Sequence, residues 1–323
     1  MMDKEQKNAA KRKNEYSTFF ILDEKDPKHY KIQKDALSVN VIKEDTQEFL
    51  KFISSLLRRS CLKEEYIQEL LNDKECVYAY IQAFMHKSSN VDINYDLYEL
   101  LGDKIAMACL MEYFYKKFSA YRHPSTVSFY TLLIKKYGSK NTFYLIAEKL
   151  GFFNWVIADE ASKSTDKKPI LEDTFESFCG VTNFLLNYKI REGVGYAFIY
   201  EIICSVFEEF IVIDTSYTKL TDPITLLKEQ WDNLDNKKKI IQLFGMRYTS
   251  DKLSNKMDRL DNGKVEYTIL YEDRILSKGY GNIKSDAEQD ASRNLLMNIN
   301  RLDKSIFDFD KKNEDFLIKM KVI

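Results

Sequence analysis

The chain has 323 residues, 45% of them hydrophobic, and its 49 Lys+Arg against 50 Asp+Glu leave a formal net charge of −1. That length and apolar content suffice for one large or two modest cores, and two folded units are the expectation. Near-neutral charge excludes a global field that would draw the chain onto a polyanion, so any nucleic-acid surface must be local.

Residues 1–45 read as a charged extension in which Lys4, Lys7, Lys11, Arg12 and Lys13 have no apolar segment behind them, unlike a secretory signal. Only Phe19 to Leu22 form a short apolar patch there. No apolar run approaches the roughly 18 residues of a membrane span, so no membrane partner is expected. The expected location is intracellular and cytoplasmic, with the nucleus left open.

From Thr46 to Tyr217 apolar residues recur at helical spacing, as in Phe49, Phe52, Ile53, Leu56 and Leu57, and an all-helical domain is predicted over 46–217. Glu160 to Lys168 (EASKSTDKK), polar and followed by Pro169, predicts an exposed loop, with the next helix beginning near Leu171. Residues 218–221 read as a linker. Asp222-Pro223 then opens a helix running to about Leu234. A long loop spans about Ser250 to Gly263, and Val265, Tyr267, Ile269 and Tyr271 alternate as in a strand. Ala287 to Asn298 returns to helix, which makes residues 222–300 a small α+β module. The tail, 301–323, mixes Phe307, Phe309, Phe316 and Leu317 with charges and fits an amphipathic helix.

Chemistry falls to carboxylates by elimination. His29, His86 and His123 are too few and too scattered for a zinc site or a histidine relay. Cys61, Cys76, Cys109, Cys179 and Cys204 contain no C-x-x-C pair and read as reduced core thiols. In NYDLYELLGDKIAMACL, from Asn94 to Leu110, Asp96, Glu99 and Asp103 stand at i, i+3 and i+7 on one helix face. Spacing alone is ordinarily a solvated acidic face. Interleaved Leu97, Leu100, Leu101, Ile105 and Met107 instead predict a largely buried helix, whose acids would need partners or cations. Gly102, which costs about 1 kcal/mol in a helix interior, predicts a close neighbour.

A second pair, Asp173 and Glu176, lies in ILEDTFESFCG among Ile170, Leu171, Phe175 and Phe178. Alone it is read equally well as charge at a helix start. If the two helices face each other, four carboxylates make a cage for Mg²⁺, with Mn²⁺ able to substitute.

These segments resemble the ribonuclease III family. DLYELLGD, Asp96 to Asp103, is similar to its signature E-R-L-E-F-L-G-D, and DTFESFCG, Asp173 to Gly180, to D-A-F-E-A-x-x-G; FMHKSS, Phe84 to Ser89, resembles its T-H-x-S segment. The resemblance implies that Glu99, Asp103, Asp173 and Glu176 are the catalytic metal ligands, Glu176 the most sensitive of them. Asp96, one methylene shorter than the family's Glu, is auxiliary, and Leu100 replaces an aromatic that enters the partner subunit. A symmetric homodimer leaving short 3′ overhangs on double-stranded RNA is also implied, each subunit cutting one strand.

Residues 222–300 resemble the double-stranded RNA-binding domain that accompanies such nucleases, of α-β-β-β-α order. DPITLLKE matches its first helix and GYGNIKSDAEQDA its G-x-G-x-S-K-K-x-A-E-Q-x-A ending, which puts Glu229 and Lys284 at contact positions. Ser285 and Ile283 depart from the pattern, and the G-P-x-H loop is absent. Ser285 and Glu288 form an S-x-x-E capping box, which predicts a later helix start that leaves Lys284 outside its first turn. With 13 Lys+Arg against 13 Asp+Glu, the module is neutral, and weak RNA binding is expected. Lys237, Lys238 and Lys239 either compensate or form a solvated loop.

The expected activity is two-metal cleavage of duplex RNA. The alternatives are a catalytically inactive duplex-RNA binder or structural ribonucleoprotein component, and a helical interaction protein without RNA.

Overall fold

The computed structural model describes residues 46–320, so the extension expected at 1–45 and the last three residues of the tail lie outside the described residues. In chain order the helices are α1 (Thr46–Leu57), α2 (Glu64–Asn72), α3 (Lys74–Gln82), α4 (Asp96–Lys117), α5 (Val127–Tyr137), α6 (Lys140–Lys149) and α7 (Glu160–Thr165). There follow α8 (Lys167–Lys189), α9 (Val194–Phe210), α10 (Tyr217–Leu220), α11 (Pro223–Asp232) and α12 (Leu234–Leu243). Three strands, β1 (Leu253–Arg259), β2 (Val265–Tyr271) and β3 (Arg274–Gly281), precede α13 (Lys284–Leu302) and α14 (Phe309–Met320). Two compact units result, one built from residues 46–117 and 137–212, the other from 118–136 and 213–320.

The first unit is all helical and organised around α8, whose buried positions from Ile170 to Leu186 surround the helix rather than forming one stripe. Helices α4, α6 and α9 pack against it. At the other side of the core, Phe52 stands edge-on to Phe152 and Phe84, with centroids at 5.4 and 5.9 Å. The predicted loop at 160–168 is instead the short helix α7, capped by Asp159 accepting from the Ser162 N–H at 2.8 Å. Helix α8 starts at Lys167, not Leu171, because Pro169 falls in its first turn, where a missing N–H breaks no helical bond.

In the second unit, the antiparallel sheet has the order β1-β2-β3. Val265, Tyr267, Ile269 and Tyr271 of β2 are buried together with Leu226, Leu227 and Trp231 of α11 and Ala287, Ala291 and Leu295 of α13. Gly279 lets α13 lie directly on β3, since a Cβ there would meet the Ala291 nitrogen at 2.0 Å. Three expectations change here. The 234–243 stretch is a helix, anchored by buried Ile240 and Ile241, and β1 occupies the expected long loop as a polar edge strand. The capping box does not form: α13 begins at Lys284, and Glu288 accepts from the Tyr267 hydroxyl at 3.1 Å instead.

The linker expected at 218–221 is largely the helical turn α10, whose Thr218 N–H and hydroxyl donate to Asn313 of α14 at 3.0 and 2.9 Å. Residues 118–136 also leave the predicted helical domain for this unit. Aromatic packing is the reason: Phe129 lies 6.1 Å from Phe316, which lies 5.0 Å from Tyr217.

Candidate metal centre

Helix α4 starts where the Asn94 side chain accepts the Asp96 N–H at 3.0 Å, which sets Glu99 and Asp103 one turn apart on the same face. Its neighbour α8 is reached through two glycines. A Cβ on Gly102 would sit 1.7 Å from the Glu176 carbonyl oxygen, and one on Gly180 would sit 2.0 Å from that of Tyr98. The helices therefore touch backbone to backbone, closer than the roughly 8–10 Å axis spacing that side chains normally impose. This crossing brings acids 70 or more positions apart in the sequence into one site.

Glu99, Asp173 and Glu176 each offer a carboxylate oxygen within 4.8 Å of the others. Asp103 stands at the rim, its carboxylate 2.6 Å from the Lys104 ammonium. Asp96 is exposed at the helix start and contributes through its charge on Glu99 and Asp173. Two groups that the sequence did not single out complete the site. Buried Glu172 accepts from Lys140 of α6 at 3.2 Å, and the Tyr95 hydroxyl donates to Asp173 at 3.1 Å. The FMHKSS segment backs Tyr95: the Met85 carbonyl accepts its N–H at 3.0 Å, and the His86 ring lies 5.7 Å from the Tyr95 ring.

Burial, then the charges of Glu172, Asp103, Glu99 and Asp173, pushes the Glu176 carboxyl up to about 8. Burial and the neighbouring Asp173 and Asp96 push Glu99 up to about 7. Asp173 is raised by burial, against the Tyr95 hydrogen bond and the charge of Lys140. Like charges forced together in a half-buried site hold protons unless a cation replaces them. The donor set is all hard oxygen, and the spacing lies within a side-chain adjustment of the roughly 3–4 Å between oxygens that share one octahedral Mg²⁺. The residues fit a divalent cation.

Helix α4 is buried on one face only, that of Gly102, Ala106, Cys109, Leu110, Tyr113 and Phe114, rather than largely buried as predicted. Leu97 is 77% and Leu100 61% exposed, and with Leu101 and Met111 they form an exposed apolar stripe. Spacing gave the stripe but not what covers it.

The residues expected to meet RNA in the second unit lie on three helices, Glu229 on α11, Lys237 to Lys239 on α12 and Lys284 on α13. The Glu229 carboxylate accepts from the Tyr217 hydroxyl at 2.6 Å and pairs with Lys312 of α14 at 3.5 Å. Lys284 is exposed in the first turn of α13. Successive positions on α12 turn Lys237 toward Asp251 at 3.9 Å and Lys238 over the Tyr248 ring, while the charge of Lys239 acts on Asp303, so the three make no single patch.

No family model matches the chain. It is 31% identical over 265 residues to a protein named as a ribonuclease 3 in Invertebrate iridescent virus 6, covering 77% of this chain and 86% of that one. A protein of the same name in Frog virus 3 is 29% identical over 249 residues, 76% of this chain and 61% of that protein. The ribonuclease 3 of Streptococcus agalactiae is 24% identical over 246 residues, 74% of this chain and 96% of the enzyme. Among solved structures, the nuclease domain of ribonuclease III from Campylobacter jejuni aligns with TM-score 0.37 and 20% identity over 51% of this chain and 97% of that domain. The Dicer of Pichia stipitis aligns with TM-score 0.29 and 13% identity over 68% of this chain and 92% of that protein. With the viral relative matched across most of its length and the acidic motifs in order on two crossing helices, the chain belongs to the ribonuclease III family of endoribonucleases.

Proposed function

We propose that the protein cleaves double-stranded RNA with a pair of divalent cations, Mg²⁺ or Mn²⁺, held by Glu99, Asp173 and Glu176 and joined from the rim by Asp103. The observation that carries this reading is the approach of three carboxylates within 4.8 Å across the glycine crossing. Bound there, divalent cations supply Lewis-acid polarisation of a phosphodiester and a water acidic enough to attack at neutral pH. The chain's part is to fix the carboxylates: the Tyr95 hydroxyl orients Asp173, and Lys140 pairs with buried Glu172 beside it.

One site cuts one strand, so cleavage of both strands requires two copies. The exposed α4 stripe of Leu97, Leu100, Leu101 and Met111 offers a self-complementary surface for a symmetric homodimer. Paired sites offset across the duplex leave short 3′ overhangs. Weak duplex binding follows from the neutral charge of residues 222–300 and from the internal engagement of Glu229.

Labelled duplex RNA incubated with the purified protein, with and without Mg²⁺, tests the reading through product length and end chemistry. Metal-dependent duplex products with 3′ overhangs are expected. Binding without cleavage would favour an inactive duplex-RNA binder.

A further inference from the structure

The four acids assigned to metal come from α4 and α8, but the ammonium that pairs with buried Glu172 beside them comes from a third element. Lys140 is the first residue of α6, where a positive charge opposes the helix dipole, and Ser139 before it makes no side-chain cap bond. Nothing local favours a lysine at that position. Its ammonium lies 3.2 Å from a Glu172 oxygen, and one turn further along α6 the Phe143 ring meets Phe175 of α8 at 5.4 Å. Packing of α6 on α8 therefore delivers this charge to the edge of the acid cluster.

The pair is unequal. The Glu172 side chain is 5% exposed and fixed in the helix–helix contact, whereas that of Lys140 is 77% exposed on a flexible stem. The ammonium is free to leave without disturbing the core, but the carboxylate is not. Charges of Asp173 and Glu176 act on Lys140 as well as that of Glu172, so it sits in the field of the same carboxylates that would hold a divalent ion. Two other groups lie nearby, Lys104 bonded to Asp103 at the rim and the His86 ring behind Tyr95. Neither donates to a buried carboxylate of the cluster among the bonds described here.

We propose that Lys140 is the built-in counter-cation of this carboxylate cluster and competes with divalent metal for it. The inference rests on the divalent-cation reading given above. It assigns Lys140 a positioning role: its charge holds the acids together when no metal is bound and sets the metal concentration at which the site fills. Even with the screening of bulk water, a unit positive charge about 6 Å from a divalent ion changes the ion's affinity by about tenfold.

Mn²⁺ binding to the full chain without RNA, followed by electron paramagnetic resonance of the free ion at fixed pH and ionic strength, tests this directly. Lys140→Gln is expected to tighten Mn²⁺ binding about tenfold and Lys140→Arg to stay within about twofold of the parent protein. Lys140→Met, which keeps the alkyl stem, carries the same expectation should the Gln variant fold poorly. Unchanged or weaker Mn²⁺ binding by the uncharged variants would overturn the counter-cation role while leaving the metal site standing. Absence of Mn²⁺ binding by the parent protein would overturn both.

Discussion

Replacement of Gly102 by Ala puts the helix crossing itself to the test. The added Cβ would begin 1.7 Å from the Glu176 carbonyl oxygen, and because contacts under 3.0 Å do not persist, α4 and α8 must separate there by at least 1.3 Å. In an isolated helix the change would stabilise by about 1 kcal/mol. Here overpacking against backbone, which cannot rotate away as a side chain can, costs about 3 kcal/mol or more, so a net loss of about 2 kcal/mol is expected. Glu99 and Asp103 move with α4, away from Asp173 and Glu176. Displacement of a catalytic constellation by about 1 Å costs on the order of 100-fold in rate. Urea unfolding and single-turnover cleavage of duplex RNA measure the two losses separately. A Gly102→Ala protein as stable and as active as its parent would refute the backbone-to-backbone crossing as the basis of the site.

Three further outcomes are expected. Because Glu176 and Glu99 are raised to about 8 and 7, the metal-free fold gains stability from their protonation. That gain is complete below the ordinary carboxyl range of about 4.5 and lost as pH rises through 7 to 8, so thermal unfolding without metal should show stability falling across that interval and Mn²⁺ reversing the trend. Leu97→Glu with Leu100→Glu places charges in the exposed α4 stripe and should shift sedimentation from dimer to monomer while circular dichroism stays unchanged. Glu229→Gln should leave duplex-RNA affinity within about twofold at fixed salt, since Tyr217 and Lys312 already hold that carboxylate.

Helical spacing placed Glu99 beside Asp103 and Asp173 beside Glu176, and glycine in a helix interior signalled close approach, whereas the assignment of the four acids to metal came only from the resemblance. Gly102 met that expectation against Glu176. Glu172 was not legible, since an acid next to Asp173 normally points to another face; α8 is buried all round, so that face is interior too. Lys140 carries no local signal, being 32 positions from its partner and joined to it only by helix packing. Periodicity marked Leu97 and Leu100 as apolar but cannot distinguish a stripe covered by the same chain from one awaiting a second copy. In the second unit, β2 alternates cleanly, whereas β1 (LSNKMDR) is a polar edge strand without alternation, and the Lys237–Lys239 run disguised α12 as a loop.

The proposed chemistry requires Glu99, Asp173 and Glu176 together to hold the divalent cations used in cleavage. Anomalous X-ray scattering from crystals of the full chain grown with Mn²⁺ measures this most directly. Mn²⁺ peaks are expected within coordination distance of oxygens from all three side chains, lost in Glu176→Gln. Active protein whose Mn²⁺ lies elsewhere, or is coordinated without Glu99 or Asp173, would contradict it.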